Sequence, residues 1–123
     1  MGYRSEVALT LKNDDFNALV NKAKNECTDT LAMLQGAELF QNDKYTTTYL
    51  DWYKWYSDYP EVIFIEAYMS EVPHLFHRLG EDIEDYEYSE NIGVYGDENY
   101  SMVDCVSVIR RLCVGNAGRK IMI

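Results

Sequence analysis

The chain has 123 residues, 47% of them hydrophobic, and a formal net charge of −10. This length and apolar content suit one domain with a real core, residues 1–123, and exclude a disordered chain. The apolar runs are too short to span a bilayer and the first residues lack the pattern of a secretory signal, so we expect a cytoplasmic protein.

The first third of the chain has the pattern of a strand followed by helix. Residues 3–12 alternate in side-chain character, which predicts a strand with one face toward the core. Residues 13–27 begin with capping and acidic side chains and continue with apolar residues at helical spacing, which predicts a helix. Residues 28–35 predict a further helical turn or two.

A hairpin and a second main helix are predicted next. Residues 37–41 and 44–55 are typical of two strands joined by a tight turn, because the second run is rich in Tyr and Thr. Asp58 and Glu61 then have the spacing of a capping box, and an apolar stripe follows. We expect this helix to end near Pro73.

The C-terminal half completes the predicted sheet. Residues 75–88 contain a predicted strand, and their pattern leaves open whether the acidic second half is a strand, a short helix or a loop. Residues 101–114 are apolar on both parities, which predicts a central strand covered on both faces. The order of elements predicts an α+β fold: a single antiparallel or mixed sheet of about five strands with two main helices packed on it, a ferredoxin-like or related sandwich.

Negative charge is concentrated in one window, residues 79–109, which holds nine carboxylates and no Lys or Arg. The rest of the chain has 12 acidic and 11 basic residues. A concentrated anionic field repels nucleic acid and membrane surfaces and attracts basic partners, although a solvated face that keeps the protein soluble is the alternative interpretation. The candidate binding residues are six carboxylates and two aromatic anchors: Glu81, Asp82, Glu84, Asp85, Tyr86, Glu87, Tyr88 and Glu90.

Catalytic and metal chemistry have little support in the sequence. The motifs of nucleophilic, phosphate-binding and metallopeptidase sites are absent, so we expect no catalytic residues, no metal and no cofactor. His74 and His77 would share a face on a helix but not on a strand. The three cysteines include no CxxC pair, which predicts neither a disulfide framework nor a zinc site.

A second class of function remains open because the predicted hairpin is rich in aromatic residues. The aromatic strand has seven such residues: Tyr45, Tyr49, Trp52, Tyr53, Trp55, Tyr56 and Tyr59. Together with Arg110 or Arg111 it could line a pocket of an oligomeric module that binds a small molecule or a nucleotide. The alternatives are core or dimer-interface packing for the aromatic residues, and pairing of one arginine with the acidic stretch.

Three sequence blocks resemble a family of small proteins encoded by bacteriophages and prophages: GYRS at residues 2–5, WYKWY at residues 52–56 and RLGEDIED at residues 78–85. The resemblance implies no activity and no catalytic residues. It implies a phage-borne accessory protein in the cytoplasm of a bacterial host. We therefore expect a non-enzymatic protein that binds a basic host protein through its acidic face, as a nucleic-acid mimic or an inhibitor of host defence, with a homodimer left open.

Overall fold

The computed structural model describes residues 2–82, 84–91, 102, 105–108 and 111–123. Within this part of the chain, three helices and eight strands follow one another. Their bounds are β1 Ser5–Lys12, α1 Asn13–Glu26, α2 Thr28–Gly36, β2 Glu38–Gln41, β3 Tyr45–Tyr53, α3 Pro60–Met69, β4 His74–Gly80, β5 Tyr86–Asn91, β6 Ser107–Val108, β7 Leu112–Cys113 and β8 Arg119–Ile121.

Six of these strands form one sheet in the order β5-β4-β1-β3-β2-β8, with antiparallel pairings. β1 and β3 lie at its centre, and Leu9 of β1 is opposite Thr48 on one side and Phe76 on the other. The predicted α+β class is confirmed. The sheet has one strand more than predicted, and residues 28–36 form a full helix.

The sheet is covered on both faces by apolar side chains. Alternate residues of β1, such as Val7 and Leu9, pack with Phe16 of α1 and Ile65 of α3 in one buried cluster. The other face carries a second buried cluster, which combines strand residues with residues from the C-terminal part: Ala8, Tyr49, Leu75, Met102, Val106 and Leu112. Each large side chain removed from water contributes about 1.5–3 kcal/mol, so both clusters stabilise the sheet.

The third helix begins where the sequence predicts, but it is capped differently. Pro60 is its first residue and Tyr59 holds the N-cap position without a side-chain hydrogen bond. Asp58 therefore lies one residue too early to form the predicted capping box with Glu61. The Glu61 carboxylate instead accepts a hydrogen bond from the Tyr53 hydroxyl at 2.5 Å.

The prediction of a central strand over residues 101–114 is wrong for the residues that the structure describes. Ser107–Val108 pairs with Leu112–Cys113 in a separate two-stranded sheet. Val106 and Leu112 are buried because this segment lies against one face of the main sheet. The apolar pattern therefore indicates a segment that packs on one face of the main sheet, not a strand within that sheet.

The acidic half of the predicted strand over residues 75–88 divides into two parts. Residues 81, 82, 84 and 85 lie between β4 and β5, and β5 then pairs with β4 from Tyr86 onward.

Among the described helices, none has the length and apolar character needed to cross a membrane.

Candidate functional site

The acidic segment, defined as residues 81–90, occupies one edge of the six-stranded sheet. Its first half connects β4 to β5. Its second half belongs to β5, which is the strand at one end of the sheet order. All eight candidate binding residues lie in the described part of the chain; seven are exposed and Asp85 is half-buried. The structure thus brings the predicted residues to one edge, while their binding of a partner stays a prediction.

Arg78 of β4 anchors the acidic segment. Its guanidinium donates to both oxygens of Asp85, at 2.8 and 3.1 Å, and its Nε donates to Glu87 at 2.8 Å. A further hydrogen bond joins Arg78 to the Ser5 hydroxyl at 3.1 Å. These bonds from Arg78, followed by one from a tyrosine, hold the pKa of Asp85 below its ordinary value.

The N-terminal residues close over the connection between β4 and β5. The Tyr3 hydroxyl donates to Asp85 Oδ2 at 2.6 Å, and the backbone N–H of Arg4 donates to Glu81 Oε2 at 2.6 Å. Gly80 makes this approach possible, because a Cβ there would lie 2.2 Å from both the Tyr3 hydroxyl and Asp85 Oδ2. Two carboxylates of the connection, Asp85 and Glu81, are consequently held in place by the N-terminal residues, and Asp85 is held by Arg78 of β4 as well.

The side chains of β5 divide between the two faces of the sheet. Glu87 lies opposite Arg78 and points to the helix-covered face, whereas Tyr86 and Tyr88 point to the other face. Glu90 shares the face of the tyrosines and accepts a hydrogen bond from Tyr88. The eight candidate residues therefore surround an edge instead of forming one row on a single face.

The two tyrosines are held by a buried histidine. The Tyr86 hydroxyl lies 2.7 Å from His77 Nδ1, and the Tyr88 ring centroid lies 5.0 Å from that of His77. Burial lowers the pKa of His77 and raises that of Tyr86. Burial, and then the hydrogen bond to Glu90, raise the pKa of Tyr88 to about 12. Both phenols thus remain protonated near neutral pH while the two tyrosines are still 43% and 44% exposed.

The charge of the acidic segment is only partly neutralised within the protein. In the part of the chain that the structure describes, Arg78 is the cation that contacts it, through Asp85 and Glu87. One guanidinium against six carboxylates leaves five net negative charges. The other four carboxylates receive hydrogen bonds only from neutral groups or none among these residues: Glu81, Asp82, Glu84 and Glu90.

A cleft of about 390 Å³ lies on the helix-covered face beside the segment. Its lining includes aromatic rings and charged groups: Tyr3, Trp55, Tyr56, Glu66, Arg78 and Glu87. Burial, and then the nearby charge of Glu87, raise the pKa of Glu66. Carboxylates beside aromatic rings form a surface that suits a cationic side chain.

The alternative site built on the aromatic strand is acidic as well. Arg111 contacts Glu6 at 3.3 Å and Asp51 at 3.1 Å, so its guanidinium is already paired with carboxylates. Arg110 lies outside the described residues. The cleft near Asp51 measures about 460 Å³ and has four carboxylates in its lining: Asp29, Glu38, Asp51 and Glu61. This charge disfavours a nucleotide or another anion.

The two histidines singled out in the sequence lie on opposite faces of β4. His74 makes hydrogen bonds at 3.0 Å to the carbonyl of Val72 and to the hydroxyl of Ser89. His77 faces the tyrosines. The described residues contain no group of three or more His, Cys, Asp or Glu side chains placed to hold a metal ion.

Three residues outside the candidate set organise the site, namely Arg78, Tyr3 and His77. The sequence patterns singled out His77 only as one of a pair of possible metal ligands, and they did not single out Arg78 or Tyr3 as partners of the acidic segment. Arg78 is the one Lys or Arg between Lys54 and Arg110, which is a signal for a special role. Its pairing with Glu87 follows only once the register of β4 and β5 is known.

Comparison of the chain with protein-family models, with curated proteins and with solved structures gives no match. Its own geometry and charge are therefore what point to a function.

Proposed function

We propose that this protein is a non-enzymatic binding protein whose acidic segment contacts a basic protein in the cytoplasm of a bacterial host. The observation that carries the proposal is the charge balance of the segment, with six carboxylates against one contacting guanidinium in the described part of the chain. Such a field increases the rate of encounter with a basic surface and disfavours anionic partners. The resemblance to phage and prophage proteins supplies the host context.

The rigidity of the segment supports this proposal. Arg78 and Tyr3 both bind Asp85, and Arg4 binds Glu81 through its backbone. A partner then has less side-chain and backbone freedom to remove on binding, which lowers the entropic cost of association.

The two exposed tyrosines support a protein partner. Tyr86 and Tyr88 are each more than two-fifths exposed and are oriented by contacts with His77. Tyrosine is enriched at protein interfaces, where its ring contributes apolar contact and its hydroxyl a hydrogen bond. The segment therefore combines charge for attraction with rings for close contact.

The finer part of the proposal is nucleic-acid mimicry that inhibits a host defence. Six carboxylates within ten residues give a high density of negative charge around this sheet edge, as phosphates do on a nucleic acid. A basic groove that binds DNA or RNA is the partner surface that such charge complements. The bound protein would then keep nucleic acid out of that groove.

We also propose that the four strands β4-β1-β3-β2 and the helices form a ferredoxin-like core. The chain order β-α-α-β-β-α-β and the antiparallel pairings of β1 with β3 and β4 support this assignment. β5 then extends the core at the edge where the acidic segment lies.

The proposal is tested by capturing host proteins on the immobilised chain at low and high salt. We expect a basic protein to be retained at low salt and released at high salt, because exposed charges are screened over about 8–10 Å at physiological ionic strength. Added duplex DNA should displace the same protein if the segment occupies a nucleic-acid groove.

The control separates local charge from net charge. One variant carries Glu81→Gln, Glu84→Gln and Glu90→Gln, and a matched variant carries Asp14→Asn, Glu26→Gln and Asp43→Asn at exposed sites elsewhere. Each removes three of the negative charges from −10 and leaves −7. Capture should fall only for the first variant. Equal loss in both, or no retained basic protein, would refute the proposal.

A further inference from the structure

The outer side of β5 is a sheet edge within the part of the chain that the structure describes. β5 spans six residues, Tyr86–Asn91, and stands at the end of the sheet order. An edge strand presents backbone N–H and C=O groups that can pair with another strand. The edge therefore offers a hydrogen-bonding surface in addition to charge.

The direction of these backbone groups follows from the ladder. The N–H of Gly80 donates to the carbonyl of Asp85 at 2.8 Å, so this pair is in hydrogen-bonding register. In an antiparallel ladder such pairs alternate, so Glu87 and Ser89 direct their backbone groups toward β4. The intervening residues direct theirs away from β4: Tyr86, Tyr88 and Glu90. The N–H of Tyr86 already donates to the carbonyl of Glu84 at 3.1 Å, so Tyr88 and Glu90 supply the outward N–H groups.

We propose that a basic extended segment of the partner adds to β5 as the next antiparallel strand of the sheet. The proposal rests on the proposed function and names how the same surface is used. Strand addition to an exposed edge is a common way to bind an extended peptide, with backbone bonds for affinity and side chains for specificity.

The side chains of β5 specify the occupant. Glu87 points to one face and Glu90 to the other, so cationic residues of the added strand lie opposite these two positions, three residues apart. Residues opposite Tyr86 and Tyr88 are apolar or β-branched, because such cross-strand pairs with aromatic rings are favourable.

Charge also decides between a partner and a second copy of this chain. Pairing β5 with itself would bring two acidic segments together, each with five uncompensated negative charges. Like charges across a strand pair are destabilising. The same carboxylates that block self-pairing therefore favour a basic strand.

The test uses the capped hexapeptide Thr-Lys-Thr-Val-Lys-Val, whose two lysines fall opposite Glu90 and Glu87 in antiparallel register. Binding to the full chain is followed by NMR amide exchange at low salt. We expect the amides of Tyr88 and Glu90 to gain protection, because they become hydrogen-bonded in the added strand.

Two N-methylated peptides give a matched comparison on the unaltered protein. Methylation at the fourth and sixth positions removes N–H groups that face β5, and it should weaken binding by about fivefold for each hydrogen bond lost. Methylation at the third and fifth positions removes N–H groups that face away and should have little effect. Equal effects of the two peptides would overturn strand addition.

A pair of protein variants tests the backbone hydrogen bond that the outward N–H of Tyr88 would donate to the peptide. Tyr88→Thr and Tyr88→Pro both remove the ring, but only the proline also removes the outward N–H, which an edge strand tolerates. Binding should be weaker for the proline variant, with both folded by circular dichroism.

The outcomes distinguish this inference from the function on which it rests. Salt-sensitive peptide binding without selective amide protection would leave the acidic segment as a binding surface and refute strand addition. Protection of the same amides without peptide, rising with protein concentration, would show a second copy on the edge and also refute it. No salt-sensitive binding of either peptide or host protein would refute the proposed function itself.

Discussion

Arg78 and Asp85 lie seven residues apart across the connection between β4 and β5 and are joined by two hydrogen bonds, at 2.8 and 3.1 Å. This fork-to-fork contact fixes the planes of both groups. The third nitrogen of Arg78 holds Glu87 at the same time. The shape of the acidic segment therefore depends on one arginine.

Replacing Arg78 should loosen the acidic segment and destabilise the fold. Arg78→Ala removes hydrogen bonds to Asp85, Glu87 and Ser5, and we expect a loss of about 1–2 kcal/mol in the free energy of unfolding because the pairs are partly exposed. Urea unfolding measures it. Arg119→Ala, an exposed position in β8, is the control and should change stability by less than about 0.5 kcal/mol.

Gly80 should not accept a side chain. In Gly80→Ala the new Cβ would meet the Tyr3 hydroxyl and Asp85 Oδ2 at 2.2 Å, so the bond between these groups must break or the strand must shift. We expect a lower melting temperature. Gly36→Ala is the matched control, since a Cβ there has open space, and it should be neutral or stabilising by about 0.4–1 kcal/mol. Equal melting temperatures would contradict the close packing at Gly80.

The stabilising effect of Asp85 should disappear in acid. Because its pKa is lowered from the ordinary value of 3.8, chiefly by Arg78, the folded state binds this proton less readily than the unfolded state does. The contribution is present above pH 3.8 and is lost as the pH falls through the lower folded pKa. Asp85→Asn should thus cost most near neutral pH and least in acid, as unfolding free energies at several pH values would show.

The cause of that pH dependence can be checked in a second background. When Arg78→Met is already present, the cost of Asp85→Asn should vary much less with pH, since the main group that lowers the pKa of Asp85 is gone. An unchanged pH profile would mean that Arg78 is not the cause.

The buried carboxylate of Glu6 should be energetically coupled to Arg111. Glu6 is 3% exposed, and its Oε1 accepts hydrogen bonds from Tyr49 at 2.7 Å and from Arg111 at 3.3 Å. We expect Glu6→Gln with Arg111→Ala to cost less than the sum of the single variants, with a coupling free energy of about 1 kcal/mol. Thermal and urea unfolding of the four proteins measure it, and strict additivity would contradict the contact.

Local pattern predicts much of this fold. The alternation in residues 3–12 and the helical spacing after Asn13 correspond to β1 and α1, and the Tyr- and Thr-rich run corresponds to β3. These elements are signalled by short-range propensity and by which side of the chain is apolar. The class of fold follows from their order.

Local sequence pattern does not show where a segment lies relative to elements that are distant in the chain. Residues such as Val106 and Leu112 are as apolar as those of a central strand, yet they cover the sheet from outside. Likewise the division of Glu87 and Glu90 between two faces depends on the register with β4, and the role of Arg78 depends on the same register. Charge counting found the acidic segment but not the arrangement of its side chains.

The contact of Tyr3 and Arg4 with the acidic segment bears on how the chain should be immobilised. A purification handle ahead of Gly2 would emerge beside the acidic segment and would hinder access to it. Met122 and Ile123 follow β8, which is at the opposite end of the sheet order from β5. An anchor attached after Ile123 would leave the carboxylates facing away from a sensor chip.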